Sequence, residues 1–407
     1  MAGPAIELDA VILGGGVAGL WTLARLRAAG VHAVLLETRA LGAGQTGWAQ
    51  GIIHGGIKYA LTGEAGRASR AISAMPAAWS AAFAGGTAGG VDLRAARRLS
   101  ATQLLWTTPG LVSRLAGAAA SRAIRSSVRR LGPQEAPPPF DRAPSGLNGI
   151  EVYQVDEEIY EPASVVAALA ARHHGAIARV DEISSIAADA DGIELRVLSG
   201  HAERLLRTRR LLLTAGAGNE ALVAKLAGVT LSAPMQRRPL HMVYARGRLP
   251  QIFGHCVTAS TLPRITITSH PGRAAGDEVV WAIGGAIAER GVSMDRAAII
   301  EAARAEVQAC LPWLEIDPGV RWSSGRIDRA EGLMPDGSRP DEPVIHEIGR
   351  VAVVWPTKLA FAPLVAERLA AWMQNDPRRE HTSGEELGLT PCPIAAPPWD
   401  DAGWLWT

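Results

Sequence analysis

The chain has 407 residues, 48% hydrophobic and 20% charged, with 41 basic against 40 acidic side chains for a net charge of +1. That length exceeds one ordinary core and points to two globular units, while the balanced charge excludes the basic field of a nucleic-acid binder. Three widely spaced cysteines, Cys256, Cys310 and Cys392, suggest neither a disulfide framework nor a metal site, and no run of about 18 apolar residues marks a membrane span; residues 1–9 lack a secretory pattern, so a cytoplasmic location is expected.

Ala10, Val11, Ile12 and Leu13 predict a short buried strand. Leu20, Trp21, Leu23, Ala24 and Leu26 then recur at helical spacing until Gly30, and residues 31–37 return as a second strand. The unit is βαβ with a right-handed connection. At its turn, Gly14, Gly16 and Gly19 complete a G-x-G-x-x-G pattern. Gly14 permits the tight turn, Gly16 lets backbone approach a pyrophosphate, and Gly19 lets helix and strand pack closely. The amides of Val17 and Ala18 at the helix start suit phosphate oxygens. Glu37 ends the second strand, where a carboxylate holds a ribose diol and repels a 2′-phosphate.

Residues 40–59 are glycine-rich, with Gly42, Gly44, Gly47, Gly51, Gly55 and Gly56. Such a backbone suits wrapping a long, flat ligand: Thr46 reaches its pyrophosphate, and the amides of residues 51–56 line its ring system. Lys58 lies in this segment and Lys358 near the other end of the chain; only Lys225 joins them as a third lysine. A compact ammonium instead of arginine's fork predicts a buried, specific role for both.

Residues 211–214 and 351–355 each predict a strand that leads through a loop into a helix. One nucleotide-binding domain is therefore assembled from separated segments, 1–74, 150–228 and 320–375. The β-like runs 241–244, 264–268 and 279–283 predict an antiparallel sheet in a second domain, 75–149 and 229–319. Within that domain, 295–311 reads as a helix stopped by Pro312, and 133–144 as a proline-rich loop or lid. Residues 111–131 carry Arg114, Arg122, Arg125, Arg129 and Arg130 among apolar side chains, a basic amphipathic helix that allows peripheral contact with an anionic membrane. Residues 376–407, rich in Pro and Trp, predict a tail laid over the surface.

The stretch Ile53-His54-Gly55-Gly56-Ile57-Lys58-Tyr59, after the glycine fingerprint, resembles the D-amino-acid oxidase superfamily of FAD enzymes. It is most similar to aerobic glycerol-3-phosphate dehydrogenases and L-2-hydroxyglutarate dehydrogenases. Further matches follow in order. Glu161-Pro162 opening a helix, then Gly175-Ala176-Ile177 and a strand around Ile183, resembles the adenine-contacting stretch. Ala215-Gly216-Ala217 resembles the returning loop near the cofactor. Gly325-Arg326 before Pro335-Asp336 resembles the Gly-x-Arg-Pro segment of glycine oxidases, with Ile327 replacing the proline. Residues 357–363 resemble the loop and helix that cap the flavin's pyrimidine end, with fewer glycines.

The resemblance spans residues 10–373 loosely. It implies an α/β fold, a Rossmann-type FAD-binding domain plus an antiparallel-sheet α+β substrate domain. The implied FAD contacts are Gly14, Gly16, Val17, Ala18, Gly19, Glu37, Thr38, Gln45, Thr46, Gln50, Gly51, Ile53, Ile183, Ala215, Gly216, Thr357, Lys358, Leu359 and Ala360. The implied activity is hydride transfer to flavin N5 from a small anionic hydroxy acid, polyol phosphate or amino acid, with oxygen or a quinone as electron acceptor. Lys358, or the helix start near Ala360, would balance negative charge at flavin N1 and O2, and Lys58 would lie near N5. His54 has three readings: a base, a covalent attachment point, or packing beside the ring. Arg326 leads as the anion clamp, with Arg238, His241, Tyr244, His255, Arg264 and Arg329 as further pocket members. Two alternatives stand beside this reading, a flavin-binding protein with a non-catalytic role and an NAD-linked dehydrogenase.

Overall fold

The computed structural model describes residues 5–56, 71–85, 89–108, 128–143, 150–200, 202–226, 231, 234–257, 262–272, 276–374, 389–401 and 403–407. Its strands in chain order are β1 (Ile6–Leu13), β2 (Ala33–Glu37), β3 (Arg98–Ser100), β4 (Gln103–Trp106), β5 (Val128–Leu131), β6 (Val152–Val155), β7 (Ile159–Tyr160), β8 (Ile177–Arg179), β9 (Glu182–Ala188) and β10 (Ile193–Ser199). There follow β11 (Ala202–Leu213), β12 (Met235–Gly247), β13 (Phe253–Cys256), β14 (Ile265–Pro271), β15 (Val279–Gly284), β16 (Arg321–Gly332), β17 (Val344–Ile348), β18 (Val351–Trp355) and β19 (Thr390–Pro391). The α-helices are α1 (Val17–Ala28), α2 (Met75–Phe83), α3 (Pro162–Ala171), α4 (Asn219–Ala224), α5 (Ala286–Arg290), α6 (Arg296–Cys310) and α7 (Ala362–Met373).

Five parallel strands in the order β8-β2-β1-β11-β18 form the centre of the first unit. From Leu8 to Leu13, β1 is buried on both faces, as a central parallel strand must be. Helix α1 is buried along nearly its whole length between this sheet and α7, and so reads as apolar all round. The two flanking antiparallel strands, β17 on β18 and β19 on β8, close the edges, and β9 and β10 extend β11 as a hairpin.

The second unit is an eight-stranded sheet, β16-β12-β15-β14-β13-β4-β6-β5, antiparallel except for the β13–β4 pair. Helix α6 covers one face. Its start is capped by Asp295, whose side chain accepts from the Ala298 N–H, and its buried stripe of Ile299, Ala303 and Val307 packs on Val243, Trp281 and Ile283. The other face, with Met242, Tyr244, Val280 and Ala282, is turned toward Trp48 of the first unit and toward Trp399 and Trp404 of the C-terminal segment.

Three expectations about the chain's course change. The sequence puts residues 75–96 in the second unit, but Met75, Trp79, Ala82, Val91 and Leu93, with Ile72 before them, complete the α1–α7 core. Trp79 packs on Trp21 with ring centroids 4.7 Å apart and donates to the Ala360 carbonyl. Conversely, β6 and the whole of β16 belong to the second sheet, because β16 pairs along β12 from Met235 to Arg246. The described part of the basic stretch, β5, is an edge strand and not a helix. There Arg129 pairs with Glu135 and Arg130 with Glu151, while Arg114, Arg122 and Arg125 lie outside the described residues. In the proline-rich loop, Phe140 is buried against Trp106 and Trp313. No helix among the described residues is long and apolar enough to cross a membrane.

The C-terminal segment runs across both units. Its backbone pairs with Leu41 through Pro393 and Ala395, and Thr407 exchanges two backbone bonds with Trp322 on the edge strand β16. Asp400 pairs with Arg246 between these two points.

Candidate functional site

The glycine fingerprint makes the turn its spacing predicts. Gly14 has φ +114°, and a Cβ there would lie 2.6 Å from the Ala215 backbone. A Cβ on Gly19 would lie 2.1 Å from the Gly14 carbonyl oxygen, so only glycine lets α1 sit this close to β1. Helix α1 opens on Gly16 with extended backbone and no side-chain cap. The Thr46 hydroxyl crosses to accept the Val17 N–H at 3.0 Å, and a Cβ on Gly16 would meet that hydroxyl at 3.2 Å. A helix N-terminus, a bare glycine and a hydroxyl thus converge, a donor set suited to a pyrophosphate.

Glu37 lies at the mouth of the same turn. Its carboxylate accepts from the Gly15 N–H at 2.8 Å and from the Thr38 and Arg39 N–H groups at 2.8 and 2.9 Å. The amide of Thr38 is therefore spent on Glu37. The strand beside Glu37 is β8, and the Val180 N–H donates to the Glu37 carbonyl. Ile183, the residue expected near adenine, lies further on in β9, where its carbonyl accepts from Lys225 Nζ at 2.8 Å. The short β8 carries no periodic signal that would mark Val180 from the sequence.

The loop after β11 approaches from the far side. A Cβ on Gly216 would lie 3.2 Å from Gln45 Oε1, which brings Ala215, Gly216 and Gln45 together. Asn219, absent from the sequence reading, fixes this loop. Its fully buried amide accepts from the Ala215 N–H and donates to the Val354 carbonyl, tying β11 to β18.

Residues 46–56 pass between the two units and are tied to both. Gly51 has φ +73°, and a Cβ there would fall 1.9 Å from the Tyr160 carbonyl oxygen. The Ile53 N–H donates to the Glu158 carbonyl. Gln50 sends its amide to the second sheet, donating to the carbonyls of Thr266 (3.2 Å) and Ala282 (3.0 Å). Buried Glu157 accepts from the Gly55 N–H and from Gln103 of β4, so the half-buried His54 sits between two anchored neighbours. Lys58 lies outside the described residues.

The loop after β18 carries the last of the sequence's candidate contacts. Thr357 has φ +59°, unusual for a β-branched residue, and its carbonyl accepts from Arg339. Lys358 is buried, with Nζ 5.1 Å from the centre of the Phe361 ring. Leu359 and Ala360 follow in a 3-10 turn into α7.

Arg326 does not face this site. Alternation along β16 puts it with His241 on the α6 side of the sheet. Its guanidinium donates to the Val292 and Met294 carbonyls, and His241 contacts the Gly291 carbonyl and the Ser324 hydroxyl. Arg264 is likewise paired with Glu306 of α6. Tyr244 and His255 lie on the opposite face. There Tyr244 is enclosed by Trp48, Trp399 and Trp404, and His255 contacts the Thr266 hydroxyl.

Arg339 reaches the Thr357 loop directly, and Arg238 and Arg329 are linked to it through shared carboxylates. Arg238 and Arg339 flank the fully buried Glu331, and Arg238 and Arg329 share Glu289. Burial, reinforced by neighbouring Arg238 and Arg339, pulls the Arg329 guanidinium below its ordinary pKa. Three guanidiniums against two carboxylates leave one positive charge in excess.

A parallel sheet with a glycine-opened helix N-terminus at its switch point, joined to an antiparallel sheet, is the arrangement of a two-unit dinucleotide-binding protein. The family model described as FAD dependent oxidoreductase (DAO) matches residues 9–372; the chain belongs to this family, and FAD is its cofactor. It is 40% identical over 401 residues to the probable FAD-dependent oxidoreductase PA4991 of Pseudomonas aeruginosa, covering 98% of this chain and 99% of that protein. The crystal structure of PA4991 superposes with a TM-score of 0.79 at 35% identity, covering 98% of each chain. Glycine oxidase from Geobacillus kaustophilus gives a TM-score of 0.62 at 17% identity over 96% of this chain and 100% of that one. L-alpha-glycerophosphate oxidase from Mycoplasma pneumoniae, with FAD bound, gives 0.63 at 15% over 92% and 97%. These last two share the fold.

Proposed function

We propose that this FAD-dependent oxidoreductase acts on a small anionic molecule, removing hydride from a carbon that carries an amine or a hydroxyl. The observation that carries the reading is the Arg238–Arg329–Arg339 group with its excess positive charge beside the Thr357 loop. A carboxylate or phosphate satisfies that charge through forked hydrogen bonds. Bound flavin supplies the hydride acceptor at N5. Gly16, Val17, Ala18 and Thr46 hold its pyrophosphate, Glu37 its ribose, and residues 50–53 its ring edge. Buried Lys358 sets a positive charge at the loop that closes the other edge. His54, anchored through Gly55, is the base for a hydroxyl substrate and is not needed as a base for a neutral amine. Oxygen or a quinone takes the electrons onward.

Anaerobic mixing of the yellow protein with small 2-amino acids, 2-hydroxy acids and polyol phosphates tests this. Bleaching of the visible flavin band by one class, and none by the matching neutral amine or alcohol, is the expected result. A flavin that dithionite reduces but that no anionic compound bleaches overturns the reading.

A further inference from the structure

The side chain of Gln50 is oriented by geometry alone. Its Nε2 donates to two carbonyl oxygens on adjacent strands, Thr266 on β14 and Ala282 on β15. Both amide hydrogens are consumed, and a flipped amide would set its oxygen against two other oxygens. Nε2 is therefore fixed on the Thr266 and Ala282 carbonyls, and Oε1 stands over Gly284 at the end of β15. Oε1 lies 2.7 Å from the place a Cβ on Gly284 would occupy, so the residue that ends β15 must be glycine for Gln50 to sit there. No donor among the described residues reaches Oε1. Gln50 also follows Thr46 by four residues and precedes the strained Gly51, in the segment that crosses between the units.

We infer that Gln50 is a positioning residue: it staples the flavin-facing segment to the second sheet, sets the gap between them, and holds Oε1 as a fixed acceptor at the rim of the ring site. This deepens the reading above, since it rests on residues 50–53 facing the ring. It does not depend on which anion binds at Arg329. Gln50 thus spends its amide group on the protein, where the family resemblance alone implied contact with the cofactor.

Gln50→Leu keeps the volume and removes every hydrogen bond; Gln50→Glu keeps the shape but opposes two carbonyl oxygens until it is protonated. The holoprotein of each variant is compared with wild type by hydrogen exchange and by its visible flavin spectrum. In Gln50→Leu, amides of residues 265–270 and 279–284 should exchange about tenfold faster, the equivalent of one to two lost hydrogen bonds, and the flavin band should shift. In Gln50→Glu, both signatures should return toward wild type as the pH falls and the carboxyl gains its proton. Unchanged exchange overturns the staple, and faster exchange with an unmoved flavin band overturns the positioning role. If Gln50→Leu does not fold, the acid-to-alkaline comparison within Gln50→Glu decides alone: no pH-dependent change overturns the proposal. Bleaching by anions is read separately, so its failure with an intact staple falls on the substrate reading and leaves this one standing.

Discussion

The Thr46 hydroxyl and the Val17 amide, 29 residues apart in the chain, meet at 3.0 Å at the first turn of α1. The bond ties the helix start to a loop that lies outside the βαβ unit, and under the proposed reading grip on the cofactor depends on that loop. Thr46→Val should weaken FAD binding about tenfold, close to one hydrogen bond at a buried helix start, while Thr46→Ser should retain it. Titration of the deflavinated protein with FAD, followed by flavin fluorescence, measures both.

Gly51→Ala should be far more damaging than an ordinary surface change. A left-handed φ and a Cβ 1.9 Å from the Tyr160 oxygen require the backbone itself to move. We expect a loss of about 3 kcal/mol or more, read as a lower Cm in urea. By contrast, Gly175→Ala meets no atom within 4 Å and has ordinary φ, and should be near neutral.

What the sequence made legible is what spacing encodes. Gly14, Gly16 and Gly19 fix a turn by their own separation, and the alternation and helical period around β1, β11, β18 and α6 survive as the elements found. Arg326 shows the limit. Its local motif is real, but which face a strand residue presents depends on register against a partner strand, and here β12 turns it toward α6. Arg238 and Arg329 stand among the sequence's pocket candidates without being joined to each other, and Arg339 is not among them, for another reason: in a chain whose cations are almost all arginine, only tertiary structure tells a cluster from a scatter. The tight packing of residues 72–96 on α7 was equally unreadable, because Trp79 meets a carbonyl 281 residues away.

The two arginine positions should separate cleanly in kinetics. Arg329→Met should raise KM for an anionic substrate roughly 30-fold, the scale of a charge-assisted hydrogen bond. Arg326→Met should leave KM unchanged and cost stability instead, because it loses two bonds to the Val292 and Met294 carbonyls. Steady-state assays with a substrate that bleaches the flavin, paired with urea unfolding, distinguish these outcomes.

Acid should destabilise the fold through His270. Burial, with Arg97 nearby, pushes its pKa down to about 3 from an ordinary 6.5, and His173 is lowered to about 4 in the same way by burial, with Arg27 and Arg172 adding to it. Above the unfolded value both states hold neutral imidazole and nothing is lost. Below it the unfolded chain takes up protons that the folded one refuses, so stability falls as the pH drops from about 6.5 toward 3. Near pH 5 the His270 share is about 2 kcal/mol. Urea unfolding across this range should show the slope, and His270→Leu should flatten part of it.

The order β8-β2-β1-β11-β18 carries a consequence for biosynthesis. The strand that flanks the returning loop, and the buried ammonium of Lys358 beyond it, are translated after more than three hundred other residues. A ribosome-bound nascent chain can therefore display the glycine turn early, yet the loop that the proposed reading sets at the flavin's edge is not made until residue 358. On that reading, complete enclosure of the flavin follows the making of this late loop.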